Sequence, residues 1–407
     1  MKILSIIYLF YMFVSIYTLS FFLMVYFHNR KTLFDHPEAK RKYSISVLVP
    51  AFNEEKTIQE TIEAIFNIDY PIEEVIILND GSKDRTREIS EELLKKYPKL
   101  KLVNKENSGK GDSINRGIKM AVGELIVVVD ADSYPDKNSF NKLTGYFDDE
   151  KIGAVTCVFT PRNQKKFLEK MQVIEYNIIA FTRKLLGYID GVYVTPGPLA
   201  MYRKSALESF GGFDSGNMTE DIEIAWHLIH NGWKVKMSLA THATTTAPDN
   251  LKMWYRQRRR WNVGGMQCIE KYRGSFLKKG ILGTFIIPFF LMSYVTGLLG
   301  LGVFLYLSIR GIVTNYLFVT YSIPVGAPLL TMNDLYITPS FLNYLGVILF
   351  VVAFLFTLVV LSNMKGTTLK KHTPIDLLFF SLVYLALYPF IIISSLYNYF
   401  KRDNRWR

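Results

Sequence analysis

Five uncharged apolar runs set the limits on what this chain can become. Ile3 to Phe27 carries no charge, and similar runs recur at Ile281 to Ile309, Gly311 to Asn333, Leu335 to Met364 and Leu377 to Phe400. A helix needs ~20 mainly apolar residues to cross a bilayer, so each run is long enough, although prolines and polar residues weaken the third. Between them, Arg30 to Lys279 is mixed and charged in the manner of a water-exposed unit.

The first run is too long and too bulky for a cleaved leader and lacks an Ala-x-Ala-like exit, so it reads as an anchor. His28, Arg30 and Lys31 follow it at once, and the excess of basic residues on the cytoplasmic side then places the middle unit in the cytosol. The expected protein is a multi-pass component of the cell membrane. Five spans put the basic tail, Lys401 to Arg407 with Trp406, in the cytosol and Lys365, Lys370 and Lys371 outside; four spans reverse both. Pro324, Pro328 and Pro339 leave room for a loop or re-entrant segment.

A net charge of +12 does not point to nucleic acid here. The basic residues crowd beside the apolar runs, where they meet anionic lipid head groups. Cys157 and Cys268 have no metal-like spacing; Cys157 reads as a core residue, and no structural disulfide is expected in the cytosol.

Within the middle unit, short apolar runs alternate with helical periodicity. Ser44 to Pro50 is followed by a helix from Glu54 to Asn67, with Ile58, Ile62, Ile65 and Phe66 on one face. Strands at Glu74 to Leu78, Lys101 to Asn104 and Leu125 to Val129 alternate with helices at Asp84 to Tyr97 and Lys110 to Ala121. This pattern predicts an α/β unit with a parallel sheet covered on both faces. Further on, the expected elements are a strand at Ile152 to Phe159, a helix at Asn163 to Leu186, strands within Val192 to Tyr202 broken by Pro196-Gly197-Pro198, a helix at Glu220 to His230 and a strand at Trp233 to Ser238. Ligands bind beyond the carboxyl ends of parallel strands, where Asn53, Asp80 and Asp130 lie.

Asp130-Ala131-Asp132 ends a strand and precedes the turn Ser133-Tyr134-Pro135. Two carboxylates one residue apart can share a divalent cation and hold it against phosphate oxygens, although an acidic surface turn looks the same. Asp80-Gly81-Ser82 offers an acceptor for a base or ribose; it is equally good turn chemistry, with Ser82 available as a helix cap. Asn107 to Gly111 opens a helix, so Lys110 and its glycines can meet a diphosphate, or can form a plain solvated loop. Thr219-Glu220-Asp221 has the polar residues of a helix start. Asp221 is the candidate general base there, and Glu220 is a neighbour able to raise its pKa. Asn250 to Tyr272 alternates aromatic with basic residues and reads as an amphipathic helix at the membrane interface. On it, Arg260 can neutralise a leaving diphosphate and Trp261 offers a flat face to a sugar ring. His227 and His242 stay outside this site, His242 being the reserve for a third metal ligand.

Taken in this order, these motifs resemble the processive members of glycosyltransferase family 2: the cellulose, chitin, hyaluronan and poly-N-acetylglucosamine synthases. The match runs from about Ser46 to Met266, and its most specific part is the Gln-x-x-Arg-Trp signature at Gln257, Arg260 and Trp261 behind Thr219-Glu220-Asp221. The resemblance implies a GT-A (Rossmann-like) fold at 31–248, set between an anchor at 1–30, an interfacial segment at 249–280 and a transmembrane region at 281–407. It implies a hexosyltransferase that inverts the donor linkage, using Mg2+ or Mn2+. Asn53, Glu54, Asp80, Lys110, Asp130, Gln257 and Arg260 face the UDP-sugar donor; Asp130 and Asp132 hold the metal. Asp221, beside Glu220, deprotonates the acceptor, and Trp261 with Thr219 contacts it. The expected product is a β-linked polysaccharide extended at the cytosolic face and passed across the membrane. The alternative is a single transfer to a polyprenyl phosphate or other lipid acceptor. Asn79 departs from the family's frequent Asp before Asp80, and Pro196-Gly197-Pro198-Leu199 resembles the acceptor-side loop of the hyaluronan synthases.

Overall fold

A computed structural model describes residues 3–278, 280–322, 341–364 and 372–401. Eight strands form one sheet: β1 (Ile45–Ala51), β2 (Glu74–Asp80), β3 (Leu100–Lys105), β4 (Leu125–Val128), β5 (Ser133–Pro135), β6 (Ile152–Pro161), β7 (Ala200–Arg203) and β8 (Lys234–Thr245). Their order is β3-β2-β1-β4-β7-β6-β8-β5. The helices are α1 (Ile3–Asn29), α2 (Ile58–Phe66), α3 (Thr86–Lys96), α4 (Lys110–Met120), α5 (Ser139–Thr144), α6 (Phe167–Gly187), α7 (Lys204–Glu208), α8 (Glu220–His230), α9 (Leu251–Lys271), α10 (Ile287–Ser322), α11 (Phe341–Asn363), α12 (Pro374–Phe379) and α13 (Tyr388–Phe400).

Strand alternation sorts the core into two layers. Leu48, Ile76, Leu78, Ile126 and Val128 pack with Ile114 and Ile118 of α4 and Phe181 and Leu185 of α6. Val47, Val49, Val75, Ile77, Leu125 and Val127 face the other way, onto Ile58, Ile62 and Ile65 of α2 and Phe140 and Leu143 of α5. Both faces are covered, which is why these strands read as continuous apolar runs.

The expected parallel sheet holds for β3, β2, β1 and β4 and becomes mixed beyond them. β7 is antiparallel to both β4 and β6, and β6 pairs in parallel with β8. Ser133–Pro135, read as a turn, is β5, antiparallel to Ala243–Thr245 at the sheet edge. Of the strands expected within Val192 to Tyr202, only Ala200–Arg203 forms. The prolines at 196 and 198 have no N–H to give a ladder, and the segment folds over the site instead: Asp130 N donates to Gly197 O and Thr195 N to Asp221 O, both at 3.0 Å.

Four helices among the described residues are long and apolar enough to cross a membrane: Leu4–Asn29, Leu282–Tyr321, Gly346–Asn363 and Pro374–Phe400. The expected break between the second and third apolar runs is absent. A single helix continues through Arg310 and Gly311 to Ser322, because one charge and an isolated glycine, which costs about 1 kcal/mol against alanine, do not by themselves stop a helix. Of the two counts open in the sequence, four matches the number of candidate helices among the described residues. Val360 and Met364 at the end of α11 pack into the same core layer as Phe181 and Leu185, and Asn363 Nδ2 donates to Tyr26 OH at 3.3 Å. The chain therefore leaves α11 on the side of the sheet-bearing unit. Lys365, Lys370, Lys371, Pro324, Pro328, Pro339 and Trp406 lie outside the described residues.

The last apolar run also behaves unlike a free span. The rod from α12 to α13 has Phe379 against Phe167 of α6, with ring centroids 4.7 Å apart. Near its other end, Ser395 Oγ donates to Arg259 O at 3.4 Å and Tyr399 OH bonds Glu270. Both ends rest beside the sheet-bearing unit, and α13 runs along α9. The outer face, including Leu378, Leu382, Val383, Phe390 and Ile393, is exposed and apolar, as a helix that faces lipid requires.

Candidate active site

The carboxyl ends of β1, β2 and β4 and the N-terminal ends of α4 and α8 converge on two adjoining chambers. One, of about 580 Å3, is lined by Asn53, Glu54, Asp80, Gly81 and Asn107. The other, of about 380 Å3, is lined by Asp221, Gln257, Trp261, Tyr193, Phe290 and Tyr294, among others. Lys110, Asp130, Asp132 and Arg260 line both and form the passage between them.

The first chamber is held by side chains that cross-link loops. Asn53 takes a left-handed backbone, φ 58°. Its N–H donates to Ser82 Oγ at 3.0 Å and its Oδ1 accepts from Lys83 N at 2.8 Å. Ser82 is thus a loop tie and not the expected cap. Asp80 accepts from Ser108 N at 3.0 Å, from Gly109 N at 2.9 Å and from Lys105 Nζ. A carboxylate offers about four acceptor sites, so one direction stays open toward a ligand. Asn79 faces away, donating to Asn104 Oδ1 at 2.7 Å. Glu54 accepts from Thr57 Oγ1 at 2.7 Å, and burial, with the Asp132 and Asp130 charges adding to it, pushes its pKa up to about 7.

At the passage, Lys110 Nζ lies 2.6 Å from Asp130 Oδ1 and 2.8 Å from Glu220 Oε1. Burial alone would lower the Lys110 pKa; the two carboxylates outweigh it and hold the ammonium charged. Glu220 is lowered in turn, because Lys110 and Arg260 overcome the cost of its burial. Asp132 accepts from Ser133 Oγ at 3.1 Å, and burial together with the Asp130 charge raises it to about 6. Two crowded carboxylates of this kind suit a divalent cation, whose remaining ligands would be phosphate oxygens and water. Among the described residues no group of three or more His, Cys, Asp or Glu forms a metal cage, and His242 is exposed on β8.

In the second chamber, Asp221 stands at the start of α8 with its Oδ1 accepting from Ile222 N at 3.0 Å. Burial and then the Glu220 charge raise its pKa to about 6. If Asp221 is the base expected from the sequence, its protonation stops the reaction, and kcat/KM falls as pH drops through about 6. The stability linked to this group has the opposite sign: it is full below the ordinary aspartate value and lost as pH rises through about 6. A pH profile of nucleotide release checks the first statement, and an acid limb centred near the ordinary aspartate value would exclude Asp221 from the role.

Every expected site residue lines a chamber except Thr219. That side chain is buried and packs so tightly on α9 that a Cβ at Gly264 would sit 1.9 Å from its Oγ1; its hydroxyl donates to Asn217 Oδ1 at 3.3 Å and caps nothing. Thr219 supports the helix start from beneath, and its side chain lines neither chamber. Residues missed in the sequence form the second chamber's apolar wall: Phe159, Tyr176, Tyr193, Phe290 and Tyr294, with Arg183 among them. Arg183 is fully buried, donates through Nη2 to Cys157 O at 3.0 Å, and has no partner at Nε or Nη1 among the described residues.

An α/β sheet with acids at its strand ends, two chambers and attached apolar helices is the architecture of a GT-A glycosyltransferase. The pattern described as "Glycosyltransferase like family 2" matches residues 41–264, and the chain belongs to that family. A poly-beta-1,6-N-acetyl-D-glucosamine synthase of Staphylococcus epidermidis is 32% identical over 321 residues, 77% of this chain and 77% of that protein. The probable glycosyltransferase YdaM of Bacillus subtilis is 29% identical over 380 residues, 89% of this chain and 85% of its own length. The fold is shared with the mannosyltransferase PcManGT of Pyrobaculum calidifontis, solved with GDP-Man and Mn2+: TM-score 0.58 at 16% identity, covering 97% of this chain and 99% of that one.

Proposed function

We propose that this glycosyltransferase extends a β-linked polysaccharide from a UDP-sugar on the cytosolic face of the membrane and passes the product outward along its helices. The carrying observation is the passage at Lys110, Asp130, Asp132 and Arg260. It joins the chamber of about 580 Å3, lined by Asp80 and Asn53, to one whose aromatic wall includes Phe290 and Tyr294 of α10. The synthase relatives support a polysaccharide product and favour N-acetylglucosamine as the sugar.

In this reading Asp80 accepts from the uracil in the first chamber, while Lys110, Gln257 and Arg260 surround the diphosphate. Asp130 and Asp132 would hold Mg2+ or Mn2+, which would supply positive charge to the phosphate oxygens. Asp221 removes the proton from the acceptor hydroxyl, whose oxygen attacks the anomeric carbon from the face opposite the departing UDP; an α-linked donor gives a β-linkage. Lys110 and Arg260 stabilise the charge that grows on the leaving diphosphate. Trp261 carries the terminal acceptor sugar on its ring face. The cytosolic placement rests on His28, Arg30 and Lys31 behind α1.

Arg183 favours a second reading. A buried guanidinium without a counter-ion is costly, and the phosphate of a lipid acceptor entering the second chamber would supply one. UDP release by the detergent-purified chain across a panel of UDP-sugars, with Mg2+ or Mn2+ and with chelator, separates the two. Release with one sugar, abolished by chelator and yielding a high-mass ladder, is the expected result. Release only after a polyprenyl phosphate is added would replace the polymerase reading with single transfer.

A further inference from the structure

The helix that carries Gln257 and Trp261 is gripped from behind by a charged cluster shut off from water. Arg258, which reads in the sequence as part of a basic surface, is 0% exposed, and Glu175 is 4% exposed. Arg258 Nε donates to Glu175 Oε1 at 3.0 Å and to Tyr388 OH at 3.2 Å, while Nη2 donates to Glu175 Oε2. Tyr384 OH donates to Oε2 of the same carboxylate at 2.7 Å, and Tyr388 OH donates to Oε1. Trp254 Nε1 completes the cluster with a bond to Tyr384 OH at 2.5 Å. Three elements, α6, α9 and the C-terminal rod, meet on one carboxylate.

The front of this guanidinium faces the site. Nη1 donates to Gln257 Oε1, and the guanidinium carbon lies 4.1 Å from the centroid of the Trp261 ring. A guanidinium is a planar, rigid fork, so fixing Nε and Nη2 on Glu175 also fixes the direction of Nη1 and of the π-face. A lysine ammonium would keep the charge and lose both directions. Buried ion pairs seldom add stability over apolar packing of the same volume; what this one supplies is orientation.

We propose that Arg258 is a positioning residue, held by Glu175 and Tyr388, that orients Gln257 and Trp261 for transfer, so that the C-terminal helix controls the geometry of the site. The inference rests on Gln257 and Trp261 being donor and acceptor contacts, as proposed above. The test uses the purified full-length chain with UDP-N-acetylglucosamine and Mn2+, comparing Tyr388→Phe and Arg258→Lys with the reference variants Gln257→Ala and Trp261→Ala. Thermal midpoint, donor KM, kcat and product length are read for each.

Tyr388→Phe and Arg258→Lys are expected to keep the wild-type midpoint, to raise donor KM by about tenfold and to shorten the product, as the reference variants do. Adding Arg258→Lys to Trp261→Ala should shorten the product no further, since the two act through one ring. Wild-type KM and product length in both positioning variants, with the reference variants impaired, would overturn the inference. So would a loss of kcat that merely follows a lowered midpoint while KM and product length stay unchanged. Wild-type behaviour of the reference variants themselves would instead remove the reading of Gln257 and Trp261 on which the inference stands.

Discussion

Substitution of Asp221 by asparagine is expected to abolish sugar transfer and leave donor binding intact. Asparagine keeps the shape and the acceptor oxygen for Ile222 N but has no affinity for the acceptor's proton. General-base catalysis is worth about 100- to 10,000-fold, so turnover should fall by at least that range. Donor binding is spared because Asn53, Glu54 and Asp80 occupy the first chamber, whereas Asp221 lines only the second. Calorimetric binding of the UDP-sugar beside a turnover assay checks both halves, and retained turnover would remove Asp221 as the base.

The other large effect is expected from a methyl group. A Cβ at Gly197 would lie 2.3 Å from Asp130 Oδ2 and 2.6 Å from Oδ1, far inside contact distance. The carboxylate has little freedom to yield, being paired to Lys110 at 2.6 Å while its own N–H is bonded to Gly197 O. Gly197→Ala must therefore drive Asp130 off Lys110 or lift the loop from the passage. A misplacement of about 1 Å can cost about 100-fold in rate. We expect a loss of that order in kcat/KM for the donor, measured by UDP release. Gly302→Ala, where a Cβ meets nothing within 4 Å, serves as the control.

How far the sequence carries is clear from these positions. The acids at 80, 130 and 221 were legible because strand ends and helix starts are local patterns, and the sheet covered on both faces followed from continuous apolar runs alternating with helical spacing. Phe159, Tyr193, Phe290 and Tyr294 were not, because each has an ordinary apolar reason to exist and only the fold brings them to one wall. Arg258 misled for a related reason: a charge shows in the sequence but its partner does not, and Glu175 is 83 residues away. The mixed second half of the sheet was hidden because an apolar run gives no strand direction. Arg310-Gly311 suggested an end that the neighbouring residues override.

The C-terminal rod, resting beside the catalytic unit at both ends, bears on how the chain is threaded through the bilayer. If α12 and α13 lie along the boundary, the crossings among the described helices are α1, α10 and α11, an odd number. The start of α1 and the end of α13 then face opposite compartments, and the end of α13 shares one with the chambers. Arg30 and Lys31 after α1 and Lys401 after α13 then gather on one side, as the charge rule prefers for the cytoplasm. A reporter fused after Arg407 would then read the compartment that holds the two chambers.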